Sequence, residues 1–429
     1  MKQPLIMGGN SGTLALEASV SPGIHHVVGR EGISFATSSD ANRHRREVLV
    51  PLNGSLSNFT VRLQAALDTG SWQLWVMING VKSALTVTLS GATVLATDSV
   101  NNVSVSAGDL ICIIAEKTGT PSDVGLGWSM IWNGSTKECV MMGSTINDMS
   151  TTTVEYFVPS GAETSSTSSG ARQIIFPFSA TIKNFRVHLT VAPGSGKSRT
   201  FEITRTGGVD VVSVTISDSN TDGSNTSDSI SVSIGERIEI KSTPSGTPDA
   251  AVANFGFQVQ PDEDGKSALF MHDHGGKSQE GTVYSPTVSS ILSQDSTETD
   301  IITVCPGDFI FGGFYMRCTV VSGGAGTGAK YVLDFRKNRI STGVGGTFFE
   351  DNNTDFDFLS TFVATNGDIF NYRIVAENNP TATSTWMSSL TAYDPDFLRP
   401  MIFYSLSSDL PFIFYDLPSS DPMIFSSRT

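Results

Sequence analysis

The chain is poor in charge, in cysteine and in long apolar runs, and each shortage excludes something. Only 16% of its 429 residues are charged, where a globular domain carries about 25%. Lys and Arg number 27 against 42 Asp and Glu, a net charge of −15, and the single basic cluster is Arg43-His44-Arg45-Arg46. Binding of phosphate backbones needs many clustered cations, so nucleic acid is not expected as a partner. The four cysteines, Cys112, Cys139, Cys305 and Cys318, contain no CxxC pair. Reduced, buried thiols are expected, although Cys305 and Cys318 fall in adjacent predicted strands and could approach each other. No run reaches the ~18 apolar residues that span a bilayer, so no membrane is expected. Gly8-Gly9 breaks the apolar stretch Pro4-Leu5-Ile6-Met7, and no export signal is expected.

What is present is Gly, Ser, Thr and Phe, arranged in repeats. Asn58-Phe59-Thr60-Val61-Arg62-Leu63 is answered by Asn184-Phe185-Arg186-Val187-His188-Leu189 and, more loosely, by Gly313-Phe314-Tyr315-Met316-Arg317-Cys318. About 50 residues later in each copy a Gly precedes an acidic residue and an alternating strand: Gly108-Asp109, Gly235-Glu236 and Gly367-Asp368. These glycines stand 127 and 132 residues apart. Gly119-Thr120-Pro121 matches Gly246-Thr247-Pro248, and each precedes an aromatic strand, Trp128-Ser129-Met130 or Phe255-Gly256-Phe257. Recurrence at one period is the mark of tandem modules. Period-two alternation of Val, Ile, Phe and Thr between turn residues, without any amphipathic helix, predicts an all-β chain. The expected architecture is three tandem β-sandwich modules of jelly-roll type, each with its own core, over residues 1–134, 135–262 and 263–395. Spacing alone does not order the strands.

A four-residue apolar motif marks each module's start: Pro4-Leu5-Ile6-Met7, Cys139-Val140-Met141-Met142 and Ala268-Leu269-Phe270-Met271. It returns without a module in the tail, at Pro400-Met401-Ile402-Phe403, Pro411-Phe412-Ile413-Phe414 and Pro422-Met423-Ile424-Phe425, at an 11-residue spacing. Residues 396–429 are therefore expected to be an extended arm. Exposed, such segments would aggregate. They either fold back over their own modules or add to a neighbouring subunit by β-augmentation. On the second reading the partner-binding residues are Leu5, Ile6, Met7, Met401, Ile402, Phe403, Phe412, Ile413, Phe414, Met423, Ile424 and Phe425.

Motifs for chemistry are thin. Gly194-Ser195-Gly196-Lys197-Ser198 ends like a phosphate-binding loop, but Val191 occupies the position of its first Gly and two predicted strands flank it, so a hairpin loop is expected. His272-Asp273-His274 and His25-His26 lack a third ligand nearby. Asp218, Asn220 and Asp222 have the alternating oxygens of a calcium loop, and Asp351, Asn353 and Asp355 occupy about the same loop in the third copy. Calcium is the cofactor this pattern would take; a solvated turn is the competing reading, since Asp and Asn also bond their own backbone in turns. No cofactor is otherwise expected, and no nucleophile elbow, zinc motif or dinucleotide fingerprint points to an enzyme.

Together, the Asn58, Asn184 and Gly313 landmarks, the Gly-acidic strands and the Pro-Met-Ile-Phe tail resemble virion structural proteins of tailed bacteriophages. These include capsid-decorating proteins, head fibres and tail fibres. The resemblance implies a non-enzymatic protein in a virion, with itself as homo-oligomer (a trimer by analogy) and other virion proteins as partners. The alternative is an adhesin for host-surface glycans, for which Trp72, Trp75, Trp128, Trp132 and Trp386 are the candidate platforms.

Overall fold

The computed structural model describes residues 1–7, 9–10, 15–27, 35–39, 43–135, 137–162, 164–205, 212–273, 281–287, 295–318, 330–349, 356–358, 360–378, 386–397, 399–403 and 412–416. Eight principal strands come from each of three stretches. The first supplies β1 (Lys2–Met7), β2 (Gly23–His25), β3 (Gly54–Leu63), β4 (Ser71–Ile78), β5 (Val81–Ser90), β6 (Leu95–Val105), β7 (Leu110–Thr118) and β8 (Val124–Asn133). The second supplies β9 (Cys139–Ser144), β10 (Glu155–Phe157), β11 (Ala180–Leu189), β12 (Gly194–Arg205), β13 (Val212–Asp218), β14 (Asp222–Val232), β15 (Arg237–Ser245) and β16 (Ala253–Pro261). The third supplies β17 (Lys266–Asp273), β18 (Gly281–Ser285), β19 (Phe309–Cys318), β20 (Lys330–Lys337), β21 (Ile340–Phe349), β22 (Phe356–Phe358), β23 (Phe370–Glu377) and β24 (Trp386–Tyr393).

Hydrogen bonding orders the first set as β1-β8-β3-β6 and β2-β7-β4-β5. The second set repeats this as β9-β16-β11-β14 and β10-β15-β12-β13, the third as β17-β24-β19-β22 and β18-β23-β20-β21. Every one of these ladders is antiparallel. Two facing sheets with first, eighth, third and sixth strands in one and second, seventh, fourth and fifth in the other make an eight-stranded jelly roll. The topology that spacing left open is therefore the same in all three.

The repeated landmarks have backbone causes. Asn58, Asn184 and Gly313 have φ of 52°, 55° and 56°, and the third strand slips register there against the eighth. Only Gly and, at modest cost, Asn enter that left-handed region readily, so the looser third copy obeys the same rule. In the Gly-acidic turns the Gly has φ of 99°, 77° and 86°. The acid accepts a hydrogen bond from a backbone N–H three residues earlier: Ser106 to Asp109 (2.7 Å), Ser233 to Glu236 (2.9 Å) and Thr365 to Asp368 (2.9 Å). Burial and that hydrogen bonding oppose each other at Asp368. Burial pushes its carboxyl up, and bonds from Thr365 and Asn338 with the charge of Lys337 outweigh it, so the pKa is lowered.

The sequence suggests three separate cores in series, and this is corrected by the packing. Leu5 lies in the first core and Ile6 in the third; Cys139 and Met141 lie in the second and Val140 and Met142 in the first. Leu269 lies in the third and Ala268 in the second. Each opening strand thus feeds its own core with one face and the preceding module's core with the other, around a closed cycle. A strand buried on both faces reads as a continuous apolar run, which is why the opening motif does not alternate.

Candidate functional site

The seams between modules are the site with a built geometry. An apolar pair followed by Pro precedes each third strand, and its backbone is tied to the Gly-acidic turn. Val50 donates to Asp109 O and accepts from Gly108, Phe176 bonds in the same way with Glu236 and Gly235, and Cys305 with Asp368 and Gly367, all at 2.8–3.0 Å. This paired unit projects onto the outer face of the next module's eighth and third strands.

From the first module, Leu49 lies against Gly256 of β16. A Cβ there would stand 2.1 Å from Leu49 O, and Arg186 Nε donates to Pro51 O at 3.1 Å. From the second, Ile175 packs with Tyr315 of β19 and Met387 of β24. From the third, Asn58 Nδ2 donates to Pro306 O at 3.3 Å, while Ile302, two residues ahead of the Val304-Cys305 pair, lies against Gly127 of β8, where a Cβ would stand 2.5 Å from Ile302 O. First on second, second on third and third on first, the contacts form a pseudo-threefold ring. The outer faces of the eighth strands are accordingly dry: Ser129, Asn254 and Ser389 are 0%, 0% and 1% exposed. Sequence reasoning missed these seams. The prolines Pro51, Pro177 and Pro306, at nearly the module period, were the available signal.

The three opening strands meet around a cavity of about 30 Å³ lined by Leu5, Ile6, Val140, Met142, Leu269 and Phe270, among others. Gln3, 5% exposed, bridges two of them: its Nε2 donates to Val140 O and its Oε1 accepts from Val140 N, both at 2.8 Å. Cys139 Sγ donates to Lys266 O at 3.0 Å. The Lys2 backbone N–H donates to Asp394 at 2.7 Å and its ammonium to Asp396 at 2.6 Å. Leu5 and Ile6, expected at a surface shared with a partner, are 4% and 2% exposed and hold this chain's own modules together. Met7 pairs with Trp128 through its backbone, its side chain lying outside the described atoms.

The tail leaves from this neighbourhood. Asp394 N donates to Gly265 O, and Phe397 lies against Gly265. Beyond it, Arg399–Phe403 and Phe412–Asp416 pair with each other antiparallel, Met401 opposite Phe414, Ile402 opposite Ile413 and Phe403 opposite Phe412. This two-stranded ladder replaces a wholly extended arm. The side chains of these six residues, and all of Met423, Ile424 and Phe425, lie outside the described residues.

The remaining candidates do not converge. Asp218 accepts from Gly196 N (2.8 Å), while Asp222 bonds His188 (2.8 Å) and Thr221 (2.8 Å), and Asn220 N donates to Ser217 O (3.1 Å). Those carboxylates serve a turn, and the calcium-loop reading is not supported there. Asp351, Asn353 and Asp355 lie outside the described residues, as does His274. Among the described residues no group of three or more His, Cys, Asp or Glu is placed to hold a metal ion. Lys197 of the glycine loop pairs with Asp249 at 2.9 Å in a strand-flanked hairpin. His25 and His26 are buried, His25 edge-on to Trp128.

Trp72, Trp128 and Trp132 are each 0% exposed, which removes them as sugar platforms; Trp75 is half-buried under the Lys82 ammonium, 3.8 Å from its ring centre. Burial pushes the thiols of Cys112, Cys139 and Cys305 up, Cys305 to about 12, and all three are free thiols. No helix of the described residues is long and apolar enough to cross a membrane.

No protein-family model matches the sequence, and no curated protein matches it. Among solved structures, the chain is similar to one from "Life in the extremes: atomic structure of Sulfolobus Turreted Icosahedral Virus", at 11% identity and a TM-score of 0.17, over 81% of this chain and 84% of that one.

Proposed function

We propose that this chain is a non-enzymatic structural subunit of a virus particle, which self-associates through its outer surfaces and its apolar tail. The observation that carries the reading is the ring: three jelly rolls joined cyclically by one kind of contact give a single chain the form of a trimer. Jelly rolls recur in viral shells and in lectins, and a fold does not fix a function. The burial of Trp72, Trp128 and Trp132 weighs against the lectin branch.

The tail supports self-association by a physical argument. Its segments repeat the apolar run of the opening strands, which bury both faces. A two-stranded ladder covers neither face, so the natural occupant of those faces is another surface, reached by strand addition or groove filling. The tail departs beside Gly265 and Lys2, where the opening strands begin. Capsid decoration, head fibre and tail fibre are the roles compatible with such a unit, with other virion proteins as partners.

Light scattering on the full chain and on a chain lacking residues 396–429 tests the reading. A defined oligomer of the 45.6 kDa chain that becomes a monomer of the correspondingly smaller truncated chain is expected. A monomer in both forms at every concentration, together with glycan binding, would replace the virion reading with the adhesin one.

A further inference from the structure

The three seams are alike in construction but not in tethering. The first and second modules are joined by the short connection 134–138 and the second and third by 262–265. Such short links hold the paired faces at high effective concentration. The seam of the third module on the first has no short link, because its two sides lie at opposite ends of the repeat array. It is closed by contacts alone. Gly9 and Asn10 pair with Ile302 and Ile301. Thr60 donates to Asn366 Oδ1 (3.0 Å) and Asn366 Nδ2 to Thr97 (3.1 Å). Gln64 donates to Asp300, and Lys2 holds Asp394 and Asp396.

A head-to-tail contact is indifferent to which chain supplies its two halves. If it opens within one chain, the freed halves are complementary to those of a second opened chain. We propose that the seam between the third and first modules is an exchange interface for a second copy of this chain. The Ile301–Ile302 face of one copy seats on the Gly127 face of another, and the reverse contact closes a dimer of six modules. No new surface is needed. The proposal concerns how copies join and stands apart from the virion reading.

Two differently tagged full-length chains test it, one carrying Thr60→Cys and the other Asn366→Cys, co-expressed and treated with a short bismaleimide. The unsubstituted chain controls for native thiols. Exchange predicts a cross-linked species at roughly twice 45.6 kDa containing both tags. It also predicts the faster appearance of that species on mixing separately purified chains when Gly127→Ala is added to loosen the seam, since the same contact is weakened in the closed and the exchanged forms alike. The doubly substituted single chain fixes the alternative. If it cross-links only within itself while the mixed pair yields no two-tag product, the ring stays closed and the proposal is overturned, even where light scattering shows oligomers of another kind.

Discussion

The side-chain amide of Gln3 forms two 2.8 Å hydrogen bonds with the backbone of Val140, one to its C=O and one from its N–H. A side chain from the first module thereby occupies the place of a neighbouring strand on the edge of the second. Gln3→Ala leaves a buried donor and acceptor without partners, so a loss of about 2–6 kcal/mol is expected at the usual cost of about 1–3 kcal/mol per such group. Chemical denaturation checks it; a loss below about 0.5 kcal/mol would mean the edge is hydrated.

Gly256→Ala is expected to destabilise by about 1–3 kcal/mol through overpacking. Neither Gly256 nor Gly127 has a left-handed φ, so the penalty is the close approach of Leu49 O or Ile302 O and not backbone strain. An alanine variant as stable as the parent in thermal denaturation would show that the seam can slide apart freely.

Asn184→Val is expected to cost about 2–3 kcal/mol, since a β-branched residue is poorly accommodated at φ of 55°. Asn184→Gly keeps the bulge and loses only the bond from Asn184 Nδ2 to Gln258, so it should cost less. Equal losses in the two variants, read from denaturant midpoints, would remove the left-handed requirement as the reason for Asn.

Asp368 gives a pH dependence with a fixed sign. Its pKa is lowered in the folded state, so its contribution is present above the ordinary carboxylate value of about 3.9 and is lost as pH falls through the folded pKa. The difference in thermal stability between the parent and Asp368→Asn should therefore be largest at neutral pH and shrink in acid. A difference that grows on acidification would reverse the argument.

The shared cores predict cooperative unfolding. Because Ile6, Val140 and Ala268 each lie in another module's core, calorimetry should give one transition in place of three. Labelling of Cys139, which is buried and bonded across a seam to Lys266, should appear with that transition. Early labelling, before any heat absorption, would mean that the seam opens independently of the cores.

Much of this was legible along the chain. Period-two strands, turn residues and repeated landmarks specify local conformation, and the all-β class follows because each is a matter of near neighbours. Even the exchange of Asn for Gly at position 313 is readable, since one backbone conformation admits both. The continuous apolar motif was visible too, but its meaning was not: Leu5 and Ile6 carry the pattern of a surface for a partner, yet Leu5 fills its own module's core and Ile6 that of the chain's own third module. The seams were hidden for a plain physical reason. Small and polar residues such as Gly127, Ser129, Asn254 and Gly256 mark a wet strand face by composition, yet they equally allow a second backbone to approach closely. Which of the two occurs depends on what arrives from more than a hundred residues away, so the sequence by itself determined the modules, and only the tertiary structure decided that they close on one another.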